Sequence, residues 1–391
     1  NDIINKYSKQ CNLLIKTRDE NGLNVFLLAA KHGQLKIIKN LLKCQEHHDI
    51  EEENDDPFFK NPTFESSKDH DRNTAFLLAC LHGKLPVVRF LFSLPLIDTT
   101  ATNACGDNAL HLAIEGGHMD IIVFLLSTKK FSPLSCNNHG NHASHLAAIH
   151  GHVSILSFLK DNSYFSMDSN SEYYSPLHLA SSSGHLPVVE FLLHHSAHPA
   201  LDLEAKTYAS RTPFLLAVYR GHLDVAKRLL SAHPDSIHDK DRYKNSAVHL
   251  ASAGGHRSIL QFLSSSLPLD DLNTDLESPL HLACKNGHDD CVSFLCDSGV
   301  PLDLLNKYGY SPFQMAVYSN YFSIVQFFLN HVSNVDFLRL DDSLDSALHL
   351  AASVPSSRLM YLLLESYIFS SLLQSQNSEG FSALHISVQF L

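Results

Sequence analysis

The sequence of 391 residues has few of the residues that mark unfolded or cross-linked chains. Its 16 glycines and 15 prolines are too few for a collagen-like or low-complexity protein, and its hydrophobic fraction of 44% is too high for a disordered one. It has eight cysteines, but no two of them form a C-x-x-C pair. We therefore expect a folded protein with reduced thiols, which is typical of a cytoplasmic location.

Basic blocks and long apolar runs are missing as well. The formal net charge is −12, and without a cluster of Lys or Arg the chain is not expected to grip the phosphate backbone of a nucleic acid. The most apolar segment, Leu359 to Leu373, contains Glu365 and is shorter than the roughly 20 residues that cross a bilayer. We predict no nucleic-acid partner and no direct membrane contact for this chain.

The known motifs of catalysis are also absent from the sequence. It contains no G-x-S-x-G, no G-x-x-x-x-G-K-[S/T], no H-E-x-x-H and no G-x-G-x-x-G after a strand. The carboxylates of Glu51, Glu52 and Glu53 lie in an acidic stretch, which lacks the buried environment that holds two pKa values apart. We therefore predict that the chain is not an enzyme and that it has no catalytic residues and no cofactor.

Histidine is abundant, with 27 residues, so a metal site has to be considered. Five pairs of histidines are separated by seven residues: His111/His118, His145/His152, His178/His185, His249/His256 and His281/His288. Seven helical residues rise about 10 Å, which is too far for two ligands of one ion. Two closer clusters lack the accompanying Cys or carboxylate ligands of a zinc site: His139/His142/His145 and His194/His195/His198. We predict no metal site.

What the sequence does contain is an internal repeat. The segment Ser175-Pro-Leu-His-Leu-Ala180 recurs with small variations along the chain. Its last, small residue serves as an anchor, and eleven anchors can be placed: Ala29, Ala79, Ala113, Ala147, Ala180, Ala217, Ala251, Ala283, Ala316, Ala351 and Ser387. The first interval between anchors is 50 residues, and the others are 32 to 37 residues. A period of this length indicates stacked structural repeats.

Each repeat is predicted to consist of two short antiparallel helices. The segment begins with Ser, Thr or Asn, the residues that cap a helix start, in every copy but one, where His142 takes this position. Proline follows the cap at Pro176, Pro213, Pro279 and Pro312, where its missing N–H does no harm. A Gly-His pair, such as Gly255-His256, ends the first helix, and apolar residues at 3.6-residue spacing predict the second.

A tight turn is predicted ahead of each first helix. Five copies carry glycine two residues before the cap, where a hairpin turn requires a positive φ: Gly22, Gly106, Gly140, Gly309 and Gly380. The other six copies carry Arg72, Tyr173, Ser210, Lys244, Leu276 and Leu344 there. We expect the turns of these six copies to be less regular.

The combined pattern resembles the ankyrin repeat, and the resemblance covers roughly residues 18 to 391. It implies an all-α, right-handed, curved solenoid of ten to eleven stacked helix-turn-helix repeats with projecting hairpin loops. It also implies that the repeated histidines tie the helix start and the loop to neighbouring backbone groups. The ninth copy departs from the pattern because Asn320-Tyr321 replaces Gly-His, and Ser353-Val354-Pro355 interrupts the tenth.

Three segments fall outside the regular pattern. Residues 1–17 are predicted to form a partial N-terminal helical unit, and residues 18–391 the ankyrin-repeat solenoid. The solenoid contains an insertion at 45–72, which we expect to be a solvated, mobile loop because residues 46–72 hold ten acids and three bases. The last repeat is predicted to be truncated at Leu391, and a first residue of Asn1 instead of Met favours a piece of a longer polypeptide.

The predicted function is protein recognition by a surface. A solenoid leaves a long face of hairpin tips and first-helix side chains, which includes the residue before each cap: Leu23, Asn73, Asp107, Asn141 and Glu277, among others. Tyr and Arg are the side chains that most often carry binding energy. Our candidate partner-binding residues are therefore Tyr174, Arg211, Tyr219, Arg220, Tyr310 and Tyr318, with Tyr308 beside the last two.

We predict a scaffold or signalling adaptor that binds a protein partner along the concave face of the solenoid. One alternative is the cytosolic sensory or tethering arm of an ankyrin-bearing cation channel. Another is the substrate-recognition part of a multidomain enzyme or ubiquitin-ligase adaptor. Flanking sequence would distinguish them, because apolar spans of ~20 residues are expected only for a channel and a further domain only for an enzyme or an adaptor.

Overall fold

The computed structural model describes residues 16–49, 67–332, 335–354 and 357–389. Within these ranges the chain forms 22 α-helices and no β-strand, with only two isolated bridges, Lys68–Thr74 and Lys240–Ser246. The predicted all-α fold class is confirmed. We number the repeats 1 to 11: repeats 1 to 10 each have an inner helix followed by an outer helix, and the described part of repeat 11 has an inner helix only.

The inner helices are short and contain the anchors. They are Val25–Lys31, Ala75–Leu81, Ala109–Glu115, Ala143–Ile149, Pro176–Ser183, Pro213–Arg220, Ala247–Gly254, Pro279–Asn286, Pro312–Tyr318, Ala347–Ala352 and Ala383–Gln389. The outer helices of repeats 1 to 10 are Leu35–Asp49, Leu85–Phe92, Met119–Ser127, Val153–Asp161, Leu186–His195, Leu223–Ala232, Arg257–Leu263, Asp289–Asp297, Phe322–His331 and Ser357–Glu365. Three short helices lie between repeats: the α-helix Pro199–Glu204 and the 3-10 helices Pro234–His238 and Tyr367–Leu372.

The repeats divide into two compact units. The first unit consists of residues 1–180 and 187–196, and the second unit consists of residues 181–186 and 197–391. Within each unit, the inner helix of one repeat packs against the inner helix of the next. The fully buried alanine anchors, such as Ala113 in the first unit and Ala283 in the second, allow this close approach because they add little bulk between the helices.

The predicted helix starts are confirmed by their hydrogen bonds. In repeat 8 the hydroxyl of Ser278 accepts from the backbone N–H of His281, and Pro279 is the first helical residue. In repeat 4, where a histidine occupies the cap, Nδ1 of His142 accepts from the N–H of Ser144 at 3.2 Å. An imidazole therefore replaces the usual hydroxyl or amide cap in this repeat.

The hairpins correct one prediction from the sequence. The six side-chain-bearing positions that we expected to give less regular turns have φ between 56° and 65°, close to the 76° to 81° of the five glycines. The same hydrogen bond closes both kinds of turn, as Lys244 N–H to Asp241 O at 2.9 Å and Gly309 N–H to Asn306 O at 3.0 Å show. The expectation of irregular turns was wrong.

The physical reason is a residue five positions before the cap, which is Asp, Asn or Thr in all eleven copies. Its side-chain oxygen accepts from the backbone N–H four residues later in every hairpin, at 2.7 to 3.2 Å. We call this position the turn acceptor. Because the bond fixes the whole loop, the positive φ is held even when the residue at that point has a side chain.

Some of the predicted irregular segments have defined structure. Residues 45–49 of the predicted acidic insertion continue the outer helix of repeat 1, and residues 67–72 belong to the hairpin of repeat 2. Residues 50–66 of that insertion lie outside the described residues, as do residues 1–15 of the predicted N-terminal unit. Cys80 and Cys284 are buried in inner helices, and burial raises the pKa of both thiols.

Candidate protein-binding surface

In repeats 3, 4, 7, 8 and 10, a histidine near the start of the inner helix joins its own repeat to the next one. In repeat 8, Nδ1 of His281 accepts from the backbone N–H of Ser278 at 3.1 Å, and Nε2 donates to the carbonyl of Tyr310 in repeat 9 at 3.0 Å. Gln314 makes the same two bonds in repeat 9, with an amide in place of the imidazole. These bonds confirm the structural role that the resemblance implied.

The histidine of the Gly-His pair forms a bond in the opposite direction. Nε2 of His288 donates to the carbonyl of Ala253 in the preceding repeat at 3.0 Å, and its ring lies against Gly255. A Cβ on Gly255, whose φ is +78°, would come within 2.6 Å of His288 Nδ1. In repeat 9 the ring of Tyr321 takes the same place against Gly287. The missing histidine of that repeat is thus replaced by another planar ring.

Burial favours the neutral form of four of the histidines at the inner-helix starts, His111, His145, His249 and His281, because it lowers their pKa. Desolvation is the main cause that lowers the pKa of His145 and of His281 to about 4, and it also lowers the pKa of His111 and His249. A neutral ring is what the bonds require, because Nδ1 must accept while Nε2 donates. Within the described parts of the chain, no group of three or more His, Cys, Asp or Glu side chains could hold a metal ion.

Both kinds of histidine, at the inner-helix start and in the Gly-His pair, hold the backbone of three candidate residues. The carbonyl of Tyr174 accepts from Nε2 of His145, that of Tyr219 accepts from Nε2 of His256, and that of Tyr310 accepts from Nε2 of His281, each at 3.0 Å. A side chain on a fixed backbone loses less freedom when it binds a partner. The buried frame thus holds the surface residues in place.

Arg211, Tyr219 and Arg220 form one cluster in the second unit. The guanidinium of Arg211 lies 4.5 Å from the centre of the Tyr219 ring, and that of Arg220 lies 5.8 Å from it. Arg211 also donates at 3.4 Å to Oδ2 of Asp241, the turn acceptor of repeat 7. Arg220 is exposed, whereas the other two side chains are half-buried. The cluster presents positive charge over an aromatic ring.

Tyr310 and Tyr318 form a second cluster in the same unit, in repeat 9. Their rings are stacked, with centres 5.6 Å apart and planes at 24°, and Tyr308 lies 6.4 Å from Tyr310. Tyr318 is 51% exposed. Burial and the nearby carboxylates of Asp341 and Asp345 raise the pKa of Tyr310 to about 12. This cluster presents aromatic surface beside negative charge.

Tyr174 belongs to the first unit, whereas the other five candidates belong to the second. Its ring is half-buried and makes an edge-to-face contact with His178, with centres 6.1 Å apart. It takes part in no aromatic group comparable with those of Arg211 or Tyr310 among the described residues of its own unit. The structure therefore places five of the six candidates in two clusters and leaves Tyr174 apart.

The residue before the cap is less exposed than the sequence suggested. The predicted surface positions Leu23, Asn73, Asp107, Asn141 and Glu277 are all buried, with 4% to 8% of their surface accessible. The turn acceptor of the following repeat covers some of them: the amide of Asn137 donates to Asp107, and that of Asn170 donates to Asn141, both at 2.8 Å. The prediction of exposure was wrong for these five positions.

Two groups of residues at or beside the candidate surface were missed by sequence reasoning. The turn acceptors Asp241 and Asp341 belong to the surroundings of the two clusters, and the signal for them was the invariant Asp, Asn or Thr five residues before each cap. The hairpin tips also carry exposed aromatic residues, including Tyr208 and Tyr243, and the guanidinium of Arg242 lies 5.1 Å from the Tyr208 ring centre.

Stacked two-helix repeats joined through their hairpins define a helical-repeat protein. The family models identify the repeats. The description "Ankyrin repeats (3 copies)" matches residues 26–135, 76–167, 130–207 and 266–341, and "Ankyrin repeats (many copies)" matches residues 214–263. The chain belongs to the ankyrin repeat family, and this makes it a protein-interaction module.

Curated relatives share part of this chain. The B-cell lymphoma 3 protein homolog of Mus musculus is 30% identical over 184 residues, which are 46% of this chain and 40% of that protein. An E3 ubiquitin-protein ligase of Arabidopsis thaliana is 29% identical over 151 residues, 32% of this chain and 29% of the ligase. A transient receptor potential cation channel subfamily A member 1 homolog of Caenorhabditis elegans is 31% identical over 117 residues, 30% of this chain and 9% of the channel.

The matches cover less than half the length of each of these relatives. Among the residues that the structure describes, no helix is long and apolar enough to span a membrane.

Proposed function

We propose that the chain is a non-enzymatic scaffold that binds a protein partner along the concave face formed by its hairpins and inner helices. The observation that carries this proposal is the pair of Tyr-containing clusters in the second unit. Both clusters use the same two positions of the repeat, the residue before the cap and the second residue after the anchor: Arg211 and Tyr219 in repeat 6, and Tyr310 and Tyr318 in repeat 9.

These positions suit recognition because their backbone is rigid and their side chains differ from repeat to repeat. Between the two clusters, Asn245 accepts from the amide of Asn273, and Lys285 pairs with Glu277 at 2.9 Å. Aromatic and Arg side chains surrounded by paired polar groups are typical of the centre of a protein interface. The surface of repeats 6 to 9 therefore offers two anchoring regions joined by a polar strip.

The test is binding of a purified partner, first recovered by affinity purification, to the wild-type chain and to a double variant, Tyr219→Ala with Arg220→Ala. Removal of the Tyr219 and Arg220 side chains is expected to weaken binding by about tenfold or more. Lys227→Ala with Gln261→Ala, on exposed positions of the outer helices of repeats 6 and 7, is the matched control and is expected to bind normally. Unchanged affinity in the first variant, with unchanged thermal melting, would show that the proposed patch is not used.

Two wider contexts are supported by the relatives. Similarity to a cation channel homolog supports a role as the cytosolic arm of a channel, and similarity to an E3 ubiquitin-protein ligase supports a role in substrate recognition by a ligase. The flanking sequence decides between them, because a channel requires apolar spans of ~20 residues and a ligase requires a further domain. We also propose a cytoplasmic location, which is supported by six free cysteines among the described residues.

A further inference from the structure

The two clusters of the second unit are the same arrangement with one component exchanged. In the Arg211 cluster, the residue before the cap is an arginine that lies over Tyr219 and donates to the turn acceptor Asp241 of the next repeat. In the Tyr310 cluster, a tyrosine stands at the position of the arginine, while the second ring, Tyr318, and the aspartate turn acceptor, Asp341, are retained. The protein thus shows one of the clusters with a guanidinium in place and the other without one.

The turn acceptors of the other repeats show what the exchange leaves unsatisfied. Four of the six asparagine turn acceptors donate to the preceding repeat, as Asn273 does to Asn245 at 2.9 Å. The aspartates cannot donate, so their second oxygen needs a donor. Oδ2 of Asp69 accepts from the amide of Asn73 in its own hairpin, and Oδ2 of Asp241 accepts from the amide of Asn245 and from Arg211.

Asp341 has no equivalent donor. Its Oδ1 accepts from the backbone N–H groups of Ser343 and Asp345, but no described residue donates to its Oδ2. The residue that would supply an amide, as Asn245 does for Asp241, is Asp345, and the residue that would supply a guanidinium is Tyr310. Only 5% of the surface of Asp341 is accessible, and its Oδ2 is not among the side-chain atoms that are closed to solvent, so a donor from outside the chain can reach this oxygen.

The surrounding charges increase this imbalance. Asp342 and Asp345 lie on the same hairpin, and both raise the pKa of Asp341, although burial is the largest cause. Lys307, on the neighbouring hairpin, is paired with Asp275, and its Nζ also lies 5.0 Å from the centre of the Tyr308 ring. In contrast, the corresponding part of the Arg211 cluster includes Arg220 and Arg242. Among the described residues, no cation lies over the ring of Tyr310 or Tyr318 or pairs with Asp341, so the Tyr310 cluster is an aromatic and acidic surface whose own members have no cation partner.

We propose that the Tyr310 cluster, defined by Tyr310, Tyr318, Asp341 and Asp345, receives an arginine side chain from a partner polypeptide. The guanidinium would stack on the exposed part of the Tyr318 ring, beside Tyr310, and donate to Asp341 Oδ2, and would thus make with Tyr318 and Asp341 the two kinds of contact that Arg211 makes with Tyr219 and Asp241. Arginine suits the site better than lysine because its planar fork can stack on a ring and donate to a carboxylate together. This inference rests on the proposed function and specifies the partner chemistry at one end of the surface.

The test uses the full chain and fluorescent pools of short peptides with randomised flanks and a fixed central residue: arginine, lysine or citrulline. Citrulline has nearly the shape of arginine but no charge. We expect the arginine pool to bind about tenfold more tightly than the citrulline pool, as a stacked and charge-paired guanidinium predicts, with the lysine pool between them. The readout is fluorescence anisotropy at neutral pH and low salt, repeated at high salt, where the preference should weaken.

Two variants test the site without removing its fold. Asp341→Asn keeps the Oδ1 acceptor, since asparagine serves as turn acceptor elsewhere in the chain, but removes the charge that would hold the guanidinium. Tyr310→Arg supplies an internal guanidinium like that of Arg211. Both are expected to bring the ratio of arginine-pool to citrulline-pool affinity close to one. Tyr308→Arg adds the same charge at a 57% exposed position of the same hairpin, and it should retain most of the preference.

The outcomes separate this inference from the proposed function. Equal binding of the arginine and citrulline pools, no binding of any pool, or a preference that persists in both site variants would each overturn the arginine site. If partner binding still depends on Tyr219 and Arg220, the interaction surface survives that result. If partner binding does not depend on them, the proposed patch falls, whatever the peptide pools show.

Discussion

Replacement of Gly255 by alanine offers a sharp test of how neighbouring repeats are joined. The residue has a φ of +78°, and the ring of His288 from the next repeat lies directly against it. Two costs should therefore add. An alanine in the left-handed region costs about 1–2 kcal/mol, and displacement of the imidazole from its bond to Ala253 O costs about 0.5–1.5 kcal/mol. We expect Gly255→Ala to lower the free energy of unfolding by about 2–3 kcal/mol.

The same unit supplies a matched control. Gly299 has a φ of +74°, but a Cβ there would meet no atom within 4 Å. Gly299→Ala should therefore show only the backbone cost of about 1–2 kcal/mol. Asn320 supports the comparison, since it has a φ of +62° at the position of the Gly-His glycine in repeat 9, and the next repeat has no Gly-His histidine to lie against it.

The assay is urea denaturation followed by circular dichroism, with midpoint and slope both fitted because repeat proteins can unfold in stages. The double variant Gly255→Ala with His288→Ala completes a cycle, in which the two losses should fall short of additivity by about 1 kcal/mol because the clash is gone. Equal losses for Gly255→Ala and Gly299→Ala, or strict additivity in the cycle, would refute the inter-repeat contact as the cause.

Three further predictions concern the frame. The pKa values of His145 and His281 are about 4 in the folded chain against an ordinary value near 6.5, so unfolded chains bind more protons between these values. The free energy of unfolding should therefore fall as the pH is lowered from about 6.5 to about 4, by up to about 3 kcal/mol for each histidine, and His281→Gln should reduce this dependence in a pH series of urea melts. Ser278→Ala should cost about 1 kcal/mol through the lost cap, measured by the same melts, whereas Ser278→Thr should cost little. Ala283→Leu should overpack adjoining inner helices by about 1–3 kcal/mol in the same melts, and Ala253→Leu, at a half-exposed position, should cost less.

The helices could be predicted from the sequence because their signals are local. A capping residue, a proline after it and a Gly-His pair each act within one turn of helix, as Ser278, Pro279 and Gly287 do in repeat 8. The hairpins could be located by the same means, but their regularity could not. The glycine was taken as the determinant of the turn, whereas the side-chain bond of the turn acceptor holds the loop and makes residues such as Leu276 acceptable at positive φ.

The candidate surface was harder to predict because it is assembled from different repeats. The pairing of Arg211 with Asp241 spans 30 residues, and the burial of Asp107 depends on Asn137 from the next hairpin. Tyr and Arg were selected by residue type, and the structure brings Arg211, before the cap, together with Tyr219, at the end of the same inner helix. Nothing in the local sequence marks the carboxylate of Asp341, because its missing donor is evident only from a comparison of its surroundings with those of Asp241.

The distance from turn acceptor to cap, and from cap to anchor, is five residues in all eleven copies. Variation in period, from 32 residues to the 50 between Ala29 and Ala79, is therefore confined to the stretch between one anchor and the next turn acceptor. Extra sequence placed after an outer helix leaves in register both the bonds of the inner-helix histidines and those of the Gly-His histidines. A single residue added between a turn acceptor and its anchor would misalign these bonds. Insertions after an outer helix can thus add new contacts without disturbing the packing between neighbouring repeats.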